Sequence, residues 1–233
     1  MRRVDRVNVD AFFRNDIEGA NDIAHMNQHI GTSAGTDAEA QAEFFRYGYA
    51  VVPQLTEPAL TRFLFNYIHT KFASGLMHWG DGLVPNTPAS YGDPATDGLL
   101  AHVKERIEGI VGRALLPTYS YLRLYKTGDD LRSHRDRPAC EFSISLNIGQ
   151  TPDTPWPIFV ESEGGWREVR LKPGDALLYR GMELWHRRER YKGRQCLQVF
   201  LHFVDANGPH AGEKFDGRAS LMLPKPVPVR RPV

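Results

Sequence analysis

The sequence predicts a mainly β chain with flanking helices, built as a β-sandwich or jelly roll. Three observations predict it. From about residue 115 to 204 the chain falls into short runs of alternating apolar and polar residues. Turn-forming residues part these runs at spacings of roughly 8 to 12 residues, the rhythm of antiparallel sheets. Helical periodicity is confined to the segments before them.

Each element has a local reason. Residues 1–37 read as an N-terminal arm, and Gly31 to Asp37 as a linker with a helix cap near Thr36 or Asp37. Residues 38–222 then form a single domain whose core is about 115–204. Ala38 to Tyr47 and Ala59 to Phe72 read as helices. The stretch from Gly75 to Gly98 is rich in Gly, Pro, Asn, Asp and Ser. It is too long for a plain connection, so it is a lid over a pocket or an ordered surface excursion. Leu99 to Leu115 reads as a helix backing the sheet. Strands follow at Tyr119 to Tyr125, Cys140 to Ile148, Trp166 to Leu171, Ala176 to Tyr179 and Arg194 to Val204. Residues 223–233 are a Pro-rich tail, extended or disordered.

Composition bounds the function. A chain of 233 residues can bury a sizeable core in one domain. A formal net charge of +1 argues against general nucleic-acid binding. There is no run of about eighteen apolar residues, so no membrane span is expected. Met1 to Arg6 lacks the apolar stretch of a secretion signal. Cys140 and Cys196 both fall in predicted strands, which disfavours a disulfide scaffold and suits a reducing cytoplasm. Oligomeric state is not legible.

The chemistry concentrates in His134-Arg135-Asp136 and in His186. In an extended chain, residues i and i+2 point to one side, so His134 and Asp136 can reach a common ion. A second imidazole from another strand completes a 2-His-1-carboxylate face. That face leaves positions open and selects Fe(II) in enzymes that activate O2. His-Arg-Asp also occurs in protein kinases, but that motif needs an Asn five residues after the Asp. Glu141 stands there, and no glycine-rich phosphate loop precedes it.

Around these residues the chain resembles the Fe(II)/2-oxoglutarate-dependent dioxygenases, in layout the prolyl 4-hydroxylase-like branch. Tyr125 stands nine residues before His134, and Lys172-Pro-Gly-Asp175 precedes His186 in the family's order. The resemblance covers residues 115–204, with an echo at Phe44 to Pro53. It implies a double-stranded β-helix, the cupin-like jelly roll. It implies that His134, Asp136 and His186 are both metal ligands and catalytic residues. It also implies that Tyr125 and Arg194 bind 2-oxoglutarate, since an arginine fork matches a carboxylate. The family places its basic residue about ten positions after the distal histidine, and Arg194 is eight after, so Arg188 and Arg190 are fallbacks. The implied cofactor is Fe(II), with 2-oxoglutarate and O2 as co-substrates. The implied reaction is hydroxylation of an unactivated C–H in a small molecule or an amino-acid or peptidyl substrate, with release of succinate and CO2. Arg123 shares a strand face with Tyr121 and Tyr125, and Arg137 follows the motif. Both are substrate candidates, and the nearby arginines favour an anionic substrate. His202, on the last strand, reads as a satisfied core histidine. Two other readings stay open. One is a cupin-like metalloenzyme that does not use 2-oxoglutarate. The other is a non-catalytic binding or sensing module on the same fold.

Overall fold

A computed structural model describes residues 35–151 and 155–223. The expected N-terminal arm and Pro-rich tail lie almost wholly outside the described residues.

Helix α1 (Asp37–Tyr47) starts at Thr36, whose hydroxyl accepts from the Glu39 N–H while the Glu39 carboxylate accepts from the Thr36 N–H. This reciprocal box satisfies two amide donors that the first turn leaves without partners. Strand β1 (Tyr49–Val52) follows. Helix α2 (Pro58–Ala73) opens on a proline, whose missing N–H costs nothing in the first turn. Two short strands come next, β2 (His78–Trp79) and β3 (Pro88–Tyr91). Helix α3 (Pro94–Val111) is capped by the Asp93 carboxylate, which accepts from Ala95 N–H at 2.9 Å. It ends at Gly112, where φ is +71°.

The helix expected at Leu99 to Leu115 therefore begins five residues earlier, at an Asp-Pro start. It also ends before Leu115, which belongs to β4 (Leu115–Lys126). The remaining strands are β5 (Leu131–His134), β6 (Phe142–Thr151), β7 (Ile158–Ser162), β8 (Gly165–Val169), β9 (Ala176–Arg180), β10 (His186–Arg188) and β11 (Gln195–Asp205). A 3-10 turn at Pro138–Cys140 takes the place of the expected start of β6, and another lies at Ala211–Gly217.

All strand pairs are antiparallel. Seven strands form one sheet in the order β1-β9-β6-β11-β4-β3-β2, and four form the other, β5-β10-β7-β8. From β4 onward the chain crosses from one sheet to the other at every step except the β7–β8 hairpin, which is the jelly-roll pattern. Helix α3 packs behind β4, and α1 against β1 and α3. The sheets face each other across the interior. Arg188 on β10 reaches Ser145 on β6 and Gln198 on β11. No helix among the described residues is long and apolar enough to cross a membrane.

Candidate functional site

His134 and His186 are direct partners across the β5–β10 pair, and their ring centroids lie 4.2 Å apart. Each ring is turned by its own backbone. His134 Nδ1 lies 2.8 Å from the Arg132 carbonyl, and His186 Nδ1 lies 3.1 Å from that of Leu184. A carbonyl only accepts, so each Nδ1 carries the hydrogen and each Nε2 presents a lone pair. Asp136 Oδ1 stands 3.6 Å from both Nε2 atoms. The three ligand atoms lie within 4.8 Å of one another.

Asp136 is held by its surroundings. Its Oδ2 accepts from the Ser143 hydroxyl at 2.7 Å, and its backbone N–H donates to the Gly181 carbonyl at 2.8 Å. Gly181 is a glycine for a reason. A Cβ there would lie 2.5 Å from Asp136 Oδ2 and 2.4 Å from the Cys140 carbonyl oxygen. Only a residue without a side chain lets the carboxylate in. Ser143 thus occupies one oxygen and leaves Oδ1 for the site.

The electrostatics follow from burial and proximity. Burial opposes ionisation of Asp136, but His134, His186, His202 and Ser143 outweigh it and bring its pKa down to about 2. Burial would also lower His134, yet Asp136 and the Arg132 carbonyl raise it above its ordinary value. His186 is buried more deeply, and desolvation keeps its pKa below the ordinary value. The Tyr179 hydroxyl lies 3.4 Å from His186 Nε2, but none of the three ligand atoms carries a hydrogen for the other two, an arrangement a cation relieves. The donor set, two imidazoles and one carboxylate, fits Fe(II) with open positions.

These residues line a cavity of about 380 Å³, together with Tyr119, Tyr121, Arg123, Leu131, Ile158, Phe200 and His202. The predicted cosubstrate residues part company here. Tyr125 is fully buried on β4 opposite Cys196 on β11. Its hydroxyl accepts from Arg123 Nη1 at 3.0 Å, so its own hydrogen is free to be donated elsewhere. Arg194 is exposed, one residue before β11, and does not line the cavity. Arg190 is exposed as well. Arg188 is buried between the two sheets, on the same face of β10 as His186 and 3 % exposed, and like Tyr125 it is not among the residues that line the cavity. It donates to the Trp156 carbonyl at 2.6 Å, to Gln198 Oε1 at 3.2 Å and to Ser145 Oγ at 3.3 Å. Its Nε has no partner, and no carboxylate among the described residues pairs with it. Burial accordingly depresses its pKa.

The two substrate candidates are both engaged. Arg123 pairs with Asp81 and packs over the rings of Tyr121, Tyr125 and Phe200. Arg137 is gripped by Asp216 through two hydrogen bonds of 2.7 and 2.8 Å and lies over Tyr119. Both charges are neutralised by carboxylates, so they give the cavity no net positive wall. These two arginines therefore lend no support to the expectation of an anionic substrate.

Asp81 was not legible as a site residue. It sits in the segment between β2 and β3, which the structure shows as an ordered wall pinned to the cavity. Its Oδ1 accepts from the Leu83 and Val84 N–H groups at 2.8 Å each, and Oδ2 from Tyr121 at 2.7 Å and from Arg123. Burial opposes its ionisation, but Arg123 and these donors lower its pKa below the ordinary 3.8. A depressed carboxyl pKa gives stability that is complete above the unfolded value and is lost as pH falls through the folded one. The latch therefore holds at neutral pH and loosens only in acid. Asp81→Ala is expected to speed amide exchange at Leu83 and Val84 by about ten-fold or more, since hydrogen bonds to a charged group contribute about 1.5–3 kcal/mol. Hydrogen-exchange mass spectrometry at neutral pH checks this.

No family model matches the sequence, and no curated protein matches it. Solved structures do match the fold. A prolyl-4-hydroxylase from Pseudomonas putida aligns with a TM-score of 0.61 and 18% identity, covering 73% of this chain and 99% of that one. The non-haem α-ketoglutarate-dependent epimerase SnoN from nogalamycin biosynthesis gives a TM-score of 0.62 at 16% identity, over 73% and 83% of the two chains. HygX from Streptomyces hygroscopicus, solved with nickel, 2-oxoglutarate and hygromycin B bound, gives 0.57 at 13% identity, over 72% and 87%. The chain therefore has the jelly-roll fold of the 2-oxoglutarate/Fe(II) oxygenases, as its sequence predicts.

Proposed function

We propose that this chain is an Fe(II)- and 2-oxoglutarate-dependent oxygenase that hydroxylates an unactivated C–H of a small molecule or of an amino-acid or peptidyl group. One observation carries the reading: the convergence of His134 Nε2, His186 Nε2 and Asp136 Oδ1 on one point in the wall of the cavity. The shared fold with oxygenases supports it.

In this reading His134, Asp136 and His186 hold the iron. Iron and 2-oxoglutarate, when bound, supply the O2 chemistry that releases succinate and CO2 and oxidises the substrate. The chain does the rest. The Arg132 and Leu184 carbonyls fix both imidazole tautomers, which is how outer partners orient metal ligands. Ser143 directs Asp136 Oδ1 inward. Arg188 and Tyr125 are the partners for the distal carboxylate of 2-oxoglutarate. A buried guanidinium without a carboxylate is costly, and an incoming carboxylate offsets that cost. Arg123 keeps the Tyr125 hydroxyl a donor by occupying its oxygen. Leu131, Ile158 and Phe200 exclude water.

The test is 2-oxoglutarate consumption with Fe(II) across a panel of small molecules and peptides. Succinate formed in step with a product bearing one added oxygen supports hydroxylation. The similar structures include the epimerase SnoN and a carbocyclase, SnoK. A product with no added oxygen would keep the oxygenase class and overturn hydroxylation. Turnover without 2-oxoglutarate would favour the cupin-like alternative.

A further inference from the structure

We propose that His202 is a substrate-positioning residue whose Nε2 accepts a hydrogen bond from a hydroxyl of the substrate. The inference rests on the oxygenase reading for its meaning, but its geometry stands apart from the metal and the cosubstrate.

His202 lies on β11 and is buried at the cavity wall. Its ring is fixed twice. It packs against Tyr119 with centroids 4.5 Å apart, and its Nδ1 lies 3.0 Å from Ser143 Oγ. Tyr119 is itself stacked on Tyr91 at 5.1 Å, so the ring has a rigid backing.

Counting hydrogens fixes the tautomer. Ser143 has one hydroxyl hydrogen. Its Oγ stands 2.7 Å from the ionised Asp136 Oδ2, which can only accept, against 3.2 Å from the neutral Cys140 carbonyl. The hydrogen belongs to the Asp136 contact. The Ser143 oxygen must then accept from His202 Nδ1–H. A neutral imidazole with its hydrogen on Nδ1 carries a bare lone pair on Nε2.

That lone pair has no use inside the protein. His202 Nε2 makes no hydrogen bond among the described residues, and it is not one of their sealed, unsatisfied atoms. It therefore opens onto the cavity. The other polar groups of the wall are occupied. Asp81, Tyr121 and Arg123 bond one another, Tyr91 and Arg137 bond Asp216, and the Tyr119 hydroxyl contacts Cys140 Sγ at 3.1 Å. The Tyr179 hydroxyl lies 3.4 Å from His186 Nε2, and His202 is thus the imidazole acceptor that neither the metal position nor the protein uses. A neutral hydroxyl fits. The substrate class is an alcohol or polyol, held so that a carbon near that hydroxyl faces the metal position.

The experiment is long-range 1H–15N correlation spectroscopy on the full chain, labelled with 15N-histidine and loaded with Zn(II) as a diamagnetic stand-in. His202→Gln assigns the signals. The expected spectrum has Nδ1 protonated and Nε2 unprotonated. Methyl α-glucoside and myo-inositol are then added, each beside its fully O-methylated ether. The hydroxylated probes are expected to move the Nε2 resonance toward the protonated range, and the ethers to leave it in place. Ser143→Ala is expected to lose the Nδ1–H tautomer together with the response. Overturning results are a protonated Nε2 in the unmodified chain, no shift with either hydroxylated probe, or equal shifts from the ethers. No readout here needs iron, 2-oxoglutarate or turnover. A Zn(II)-loaded chain that behaves as expected while failing to chelate Fe(II) with 2-oxoglutarate would keep this site and remove the oxygenase reading.

Discussion

Asp136→Ala is expected to abolish stoichiometric Fe(II) binding, and His134→Ala to do the same. The loss should exceed the roughly 10- to 100-fold that removal of an outer partner of a metal ligand costs. The reason is geometric. Asp136 Oδ1 is equidistant, at 3.6 Å, from the two imidazole nitrogens. Without it, two neutral nitrogens on adjacent strands remain, with no negative charge between them. Without His134 the cross-strand pair is gone. Equilibrium dialysis against Fe(II) under anaerobic conditions, with metal content measured, checks both. Folding is monitored by thermal melting of the apo-protein. Relief of the buried carboxylate should leave the apo-protein of Asp136→Ala folded. Full metal occupancy in both variants would overturn the triad.

The second large effect is expected at Arg188. Arg188→Met should raise the 2-oxoglutarate requirement by about 10- to 100-fold, from the roughly 1.5–3 kcal/mol of a charge-assisted hydrogen bond. The fold should survive, because a buried ion replaced by an apolar side chain of similar size is often neutral or stabilising. Arg194→Ala should change the requirement little, since Arg194 is exposed. Thermal shift separates binding from stability. 2-Oxoglutarate with Fe(II) should stabilise the unmodified chain and Arg194→Ala by mass action, and Arg188→Met much less. A normal requirement in Arg188→Met with a raised one in Arg194→Ala would return the role to Arg194.

The comparison of Arg188 with Arg194 shows what the sequence could carry. The triad was legible because its parts are local, His-x-Asp on one side of an extended chain and a second histidine on a β strand. Arg188 stood only as a fallback beside Arg190, although residues 186 and 188 share a face of an extended chain. Counting positions from the family pattern pointed to Arg194 instead. The position ten after His186 is Cys196, which pairs with Tyr125 on β4, and the buried guanidinium of Arg188 reaches β11 from the facing sheet. The first helix cap was legible to within Thr36 or Asp37, and the structure places it at Thr36, with Glu39 closing the box. Strands β2, β3 and β7 were not, because two to five residues carry too little periodicity. Asp81 and Asp216 were out of reach for another reason. They meet Arg123 and Arg137 across 42 and 79 residues of chain, and nothing local marks such partners. The role of His202 was hidden too. It depends on where the single hydrogen of Ser143 goes, which only the folded geometry decides.

One measurement tests the central claim most directly. Apo-protein is mixed anaerobically with Fe(II) and 2-oxoglutarate and watched for the weak visible metal-to-ligand charge-transfer band of a chelated keto acid. The expected result is a band that requires both components, disappears in Asp136→Ala and needs more 2-oxoglutarate in Arg188→Met. Fe(II) bound at full occupancy with no band at saturating 2-oxoglutarate would contradict it.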